Sequence, residues 1–196
     1  MLETIHLEHI PHTLSIHVAF YRNVTNASFL HSQLLARNAS FEYALIDAST
    51  VISRFHLLAA VYKSITVELG GNMKTPNIHS EIVCALSSNN NIAEAYRRYG
   101  ISPISKDVLV VKVLNTAHAN TSDLTKESTE THLNEHVKGE SVEFSDEEIA
   151  KTTDWSKLRK YHKLNGAAGL DDITDMDAKR KEMEMMIVSA MALRGL

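Results

Sequence analysis

Asp107 to Leu114, DVLVVKVL, limits the possible folds more than any other stretch, because aliphatic and β-branched residues run through it almost unbroken. A strand with one wet face alternates polar and apolar side chains, whereas one without alternation is covered on both faces. The fold must therefore wrap this strand from two sides. Leu14, Ile16, Val18 and Phe20 alternate with Ser15, His17 and Ala19 and predict a second strand. Ile5 and Leu7 mark an earlier one, with Pro11 breaking the chain between them. Tyr43–Ile46 reads as a further short strand.

Helical signals fill most of the remainder. A helix starts near Asn26 and carries Phe29, Leu30, Gln33 and Leu34 toward Arg37. From Arg54 to Leu69 one face holds Phe55, Leu58, Ala59, Tyr62, Ile65 and Leu69. Leu57, Val61 and Val67 make the rest apolar too. A helix apolar all round is expected to be buried and central. Thr75 and Pro76 read as N-cap and first helical residue, with Ile78, Ile82, Ala85 and Leu86 inward. SDEEI at Ser145 opens another helix, and Trp155, Leu158 and Tyr161 share a face. A last helix, Asp177 to Arg194, turns Met183, Ile187, Ala190 and Met191 inward. The expectation is an α+β fold: one domain over residues 1–196, a small mixed or antiparallel sheet covered by several helices. A polar stretch at about 115–142 reads as a mobile excursion, partly helical around Leu133 and Val137.

Several function classes lose support. At 196 residues, 44% hydrophobic and 22% charged, the chain can bury a full core. Net charge −4 opposes general nucleic-acid binding, so any such contact needs a local patch. Cys84 is the only cysteine, which excludes an internal disulfide and a cysteine zinc cluster. His6, His9, His12 and His17 cluster, but nothing in their spacing sets metal geometry, and no metal or cofactor is expected. The first residues lack a cationic start and long apolar stretch, and no run reaches the ~18 apolar residues of a membrane span. The sequons at Asn23, Asn26, Asn38 and Asn120 then read as incidental, and the expected location is cytoplasm and nucleus. Phosphate-loop, dinucleotide, nucleophile-elbow and H-E-x-x-H patterns are missing, so the residues give no handle for catalysis.

The segment from Met73 to Ile101 carries the positive signal. Asn91 caps a helix of about eight residues, Glu94 completes a capping-box-like pair, and Arg97 and Arg98 suit its last turn. Gly100 then reads as a left-handed C′ residue. Ile92, Ala95, Tyr96 and Tyr99 form one apolar stripe, which serves either the core or a partner; the spacing leaves both open. Lys157, Arg159, Lys160 and Lys163 form a second basic run around Tyr161.

GGNMKTPNIHSEIVCALSSNNNIAEAYRRYGI resembles the signature region of the TPRKB (PRPK-binding protein) family, the kinase-binding accessory subunit of the KEOPS/EKC complex. The family's S-E-I, leucine-serine, N-N-N-I and F/Y-G-I fall on Ser80–Ile82, Leu86–Ser87, Asn89–Ile92 and Tyr99–Ile101. Weaker agreement covers Phe20, Val24, Asn26 and Ala27, the strand Val108 to Val113, and Lys160 to Leu164. Ser88 departs from the proline of many relatives, which loosens the turn. The resemblance implies a non-catalytic subunit that binds and activates a small kinase-like ATPase of the PRPK family and meets other KEOPS subunits indirectly. It implies assistance with tRNA binding, including the 3′ CCA end, for threonylcarbamoyladenosine modification of tRNAs reading A-starting codons. Carried over to this chain, the kinase contact falls on Asn90, Asn91 and Ile92, with Tyr96 beside them. Charge, rather than a family motif, assigns tRNA contact to Arg97, Arg98, Lys160 and Lys163. The competing expectation is a free-standing RNA-binding module, and behind it an enzyme with a scattered site.

Overall fold

A computed structural model describes residues 1–115 and 125–194. Its strands are β1 (Leu2–Ile5), β2 (Leu14–Arg22), β3 (Ala44–Asp47), β4 (Val108–Asn115) and β5 (Glu140–Val142). They run in the order β1-β2-β4-β3, with β5 also on β2, and every pairing is antiparallel. The helices are α1 (Ala27–Leu35), α2 (Arg54–Leu69), α3 (Ile78–Ala85), α4 (Ile92–Tyr99), α5 (Lys126–His136), α6 (Asp146–Thr152), α7 (Trp155–Tyr161) and α8 (Met176–Leu193).

The apolar β4 run is buried on both sides, as its composition requires. Leu109, Val111 and Val113 join Ile16, Val18, Phe20 and Ile46 in a large core closed by α2, α3, α4, α6, α7 and α8. Val108 and Val110 join Ala19, Tyr21 and Leu45 in a smaller core closed by α1 and α5. The α+β class is therefore that of a sheet between two unequal helical layers.

Several local readings need correction. The first strand ends at Ile5 rather than including Leu7; the chain then turns through His9, at φ 64°, toward Pro11. α3 is capped by Asn77, whose side chain accepts from Ser80 N at 2.8 Å, and not by Thr75. The Thr75 amide and hydroxyl are held instead by the buried Glu81 carboxylate, at 3.1 and 2.7 Å. α2 is not central: His56, Leu57, Ala60, Val61, Ser64 and Ile65 face inward, while Phe55, Tyr62 and Leu69 are exposed. The small Ala60 and Ser64 let this side, rather than the bulkier one, approach the core.

Gly100 is extended, with φ −69° and ψ 158°, not left-handed. The chain leaves α4 straight onto the edge of β3, where Gly100 bridges Ile46 and Ile101 N donates to Leu45 O at 2.9 Å. A side chain at 100 would place Cβ 2.7 Å from Tyr96 O, so close approach, not dihedral freedom, requires glycine. In the last helix Met183, Ile187 and Met191 are buried, with Ala190 only half-buried. The polar excursion contains α5 and β5, with Leu133 and Val137 buried. Its residues 116–124, including the Asn120 sequon, lie outside the described residues.

Candidate partner-binding face and cleft

The Asn-rich turn before α4 is ordered by its own side chains. Asn89 N donates to Ser87 Oγ at 3.2 Å, and Asn91 N donates to Asn89 Oδ1 at 2.9 Å. Asn91 then caps α4 by accepting from Glu94 N at 3.0 Å. The Glu94 carboxylate does not reach back to the Asn91 amide. It accepts from Asn89 Nδ2 at 3.0 Å and pairs with Arg97 and Arg98 instead. This network leaves Asn90, Asn91, Ile92, Ala93, Tyr96 and Arg97 exposed together.

The apolar stripe of α4 divides. Ala95 and Tyr99 are core residues, whereas Ile92 and Tyr96 are each 37% exposed. The inward residues and Gly100 fix the helix against β3, so its outer side is a rigid surface carrying two apolar residues.

Beside this helix lies a cleft of about 820 Å³. One wall is α3 and α4, with His79, Val83 and Tyr96; the other is the end of α1 and the following turn, with Leu34 and Phe41. Arg37 and Arg97 stand along it, both exposed. His79 extends the sheet where β3 stops: β3 reaches only Val111, and His79 Nε2 accepts from Val113 N at 3.1 Å. Burial, aided by the Lys112 charge, pushes its imidazole down to about 3. An apolar hollow with two arginines at its edge suits a ligand with a flat ring and an anionic group.

The basic residues singled out in the sequence separate. Arg97 is an exposed cation, with its side chain 75% accessible. Arg98 lies 4.9 Å over the Tyr161 ring, donates to Tyr161 O at 3.3 Å and pairs with Glu94, tying α4 to α7. Lys160 and Lys163 are exposed at the end of α7, away from the cleft lining. A second hollow of about 680 Å³ holds Arg97, Arg98 and Lys157 but neither of them. Arg37 escaped the sequence reading because the cleft joins walls that are far apart along the chain; no local motif marks it.

Other candidates are structural. His17 is buried between Thr4 Oγ1 at 3.1 Å and Ser15 Oγ at 2.7 Å. Cys84 is buried, and desolvation pushes its thiol up to about 11. Among the described residues no three His, Cys, Asp or Glu side chains converge as a metal site, and no helix is long and apolar enough to cross a membrane.

Residues 21–195 match the family model described as kinase binding protein CGI-121. An EKC/KEOPS complex subunit CGI121 of Gibberella zeae is 54% identical over 195 residues, covering 100% of this chain and 99% of its own. The subunits of the same name from Neurospora crassa and Aspergillus fumigatus are 45% and 44% identical, covering 99% and 97% of their own lengths and 100% and 99% of this chain. Full-length identity at this level and a family match over nearly the whole sequence place the chain in the CGI-121 kinase-binding protein family, to which TPRKB belongs.

Proposed function

We propose that this chain is a non-catalytic EKC/KEOPS subunit, acting in the cytoplasm and nucleus, which docks on a small kinase-like ATPase through the outer side of α4. The names of its relatives support the complex and the partner. The observation carrying the docking face is the split of α4: Ala95 and Tyr99 are core, Ile92 and Tyr96 exposed. Exposed aliphatic and aromatic anchors on a rigid element are the residues that dominate interface energy. In this reading Asn90 and Asn91 frame the anchor, and docking holds the kinase-like subunit in its active form. Ile92→Glu should leave far-UV circular dichroism and the thermal midpoint near wild type while abolishing co-purification with the kinase-like subunit. The exposed Phe55, Tyr62 and Leu69 of α2 favour a second docking reading. Loss of the partner on Tyr62→Glu, with Ile92→Glu silent, would move the interface there.

The tRNA role we assign to the cleft edge and Arg97, with Lys160 and Lys163 as outlying phosphate contacts. Arg37 and Arg97 flank an apolar hollow able to take an unpaired nucleotide, where rings stack and phosphates meet guanidinium groups. Joint charge reversal, Arg37→Glu with Arg97→Glu, should weaken tRNA binding by the assembled complex and flatten its salt dependence while kinase co-purification persists. The rival, a free-standing RNA module, predicts comparable tRNA affinity for the isolated chain, which net charge −4 disfavours.

A further inference from the structure

α5 carries the sequence HLNEH, with His132 and His136 four residues apart. This spacing puts two imidazoles on one side of a helix, as in the two-histidine half of helical zinc sites. Here the rings do meet: their centroids are 4.4 Å apart. Phe41 packs against both, at 4.8 and 5.1 Å, and limits their freedom to turn away. Tyr43 Oη lies 2.9 Å from His132 Nδ1. Neither ring has a nitrogen among the sealed, unpartnered polar atoms, and both residues are half-buried, so solvent reaches the remaining nitrogens.

We propose that His132 and His136 form a two-histidine chelate for a divalent transition-metal ion of the Zn²⁺, Ni²⁺ or Cu²⁺ class. Neutral imidazole suits these ions, and no third protein ligand converges among the described residues, so water completes the coordination. Ligation through His132 Nε2 places the ring proton on Nδ1, where the Tyr43 oxygen accepts it; this is the outer-shell bond that orients metal-binding histidines. The opposing charge nearby is Lys112, whose ammonium is held on Glu42 O at 2.7 Å and lies over the Tyr43 ring. Phe41 and Tyr43 also line the cleft, so a metal here stiffens the wall behind it.

The test is titration of the untagged full chain with ZnCl₂, read by calorimetry and by histidine ring resonances. The expected result is one saturable site, shifts confined to His132 and His136, and a higher thermal midpoint with Zn²⁺ present. His136→Gln should abolish all three while keeping the wild-type circular dichroism spectrum, and His12→Ala should change none. Tyr43→Phe should weaken affinity by about tenfold if it orients the ring. Absence of saturable binding, or binding that survives His136→Gln, overturns the proposal. If His136→Gln fails to fold, ring shifts at His132 and His136 in the wild type decide alone, and their absence overturns it equally.

Discussion

Arg97 and Arg98 are neighbours with opposite duties. Arg98 is held by the Tyr161 ring, the Tyr161 carbonyl and Glu94, while among the described residues Arg97 has a single, 3.7 Å contact with Glu94. Arg98→Ala should therefore cost about 1–2 kcal/mol in urea unfolding. Arg97→Ala should stay within about 0.5 kcal/mol of wild type, as exposed sites do. Equal losses would contradict the division. In the sequence both read as cations suited to a helix end, and nothing local separates them. Tyr161, 63 residues further on, makes the difference. The same logic governs the stripe of α4: its spacing was legible, but which members were core depended on where β3 lay.

At the scale of elements, side chains latch α8 to the molecule. Lys63 Nζ donates to Met191 O at 2.6 Å and Arg194 O at 2.8 Å, carbonyls at the helix end where a cation suits the dipole. Arg194 reaches the Ser87 carbonyl at 3.1 Å and also that of Cys84, joining α8 to the end of α3. Lys63→Met should lower stability by about 1.5–3 kcal/mol, the usual range for hydrogen bonds from a charged donor. It should also speed amide exchange in the last turns of α8 ahead of the sheet, and uniform acceleration would argue against a local latch. Most elements were legible from periodicity, caps and the unbroken β4 run, because those signals act within a few residues. The inward side of α2 and the cap of α3 were not, since α2 takes its side from the core and Glu81 holds Thr75 away from the cap position.

The molecule as a whole should be acid-sensitive through three buried histidines. Desolvation pushes His56 and His79 down to about 3 and His162 to about 4; His162, Lys112 and Arg98 respectively add to the effect. Unfolded, each titrates near 6.5. Below that pH the unfolded state binds protons that the folded state refuses, so stability is full above 6.5 and falls as pH drops toward the folded values. Each group contributes about 1.4 kcal/mol per pH unit, and three together about 4. Against a typical stability of ~5–15 kcal/mol, acid unfolding is expected between about pH 5 and pH 4. A circular-dichroism titration flat from pH 7 to pH 4 would refute this. The sequence drew attention to the amino-terminal histidines instead, because burial, which gives His56, His79 and His162 their importance, is invisible until the chain is folded.

The two helical layers differ in depth, and the cleft sits between them. α3 and α4 belong to the thick side, backed by four more helices, whereas among the described residues α1 shares the thin side with one other helix, α5. Regions with less buried apolar contact open at lower free energy. A guest entering the cleft thus meets one stiff jaw and one yielding jaw. Accommodation falls to α1, and the outer surface of α4 keeps its shape for a protein companion whether or not the cleft is filled.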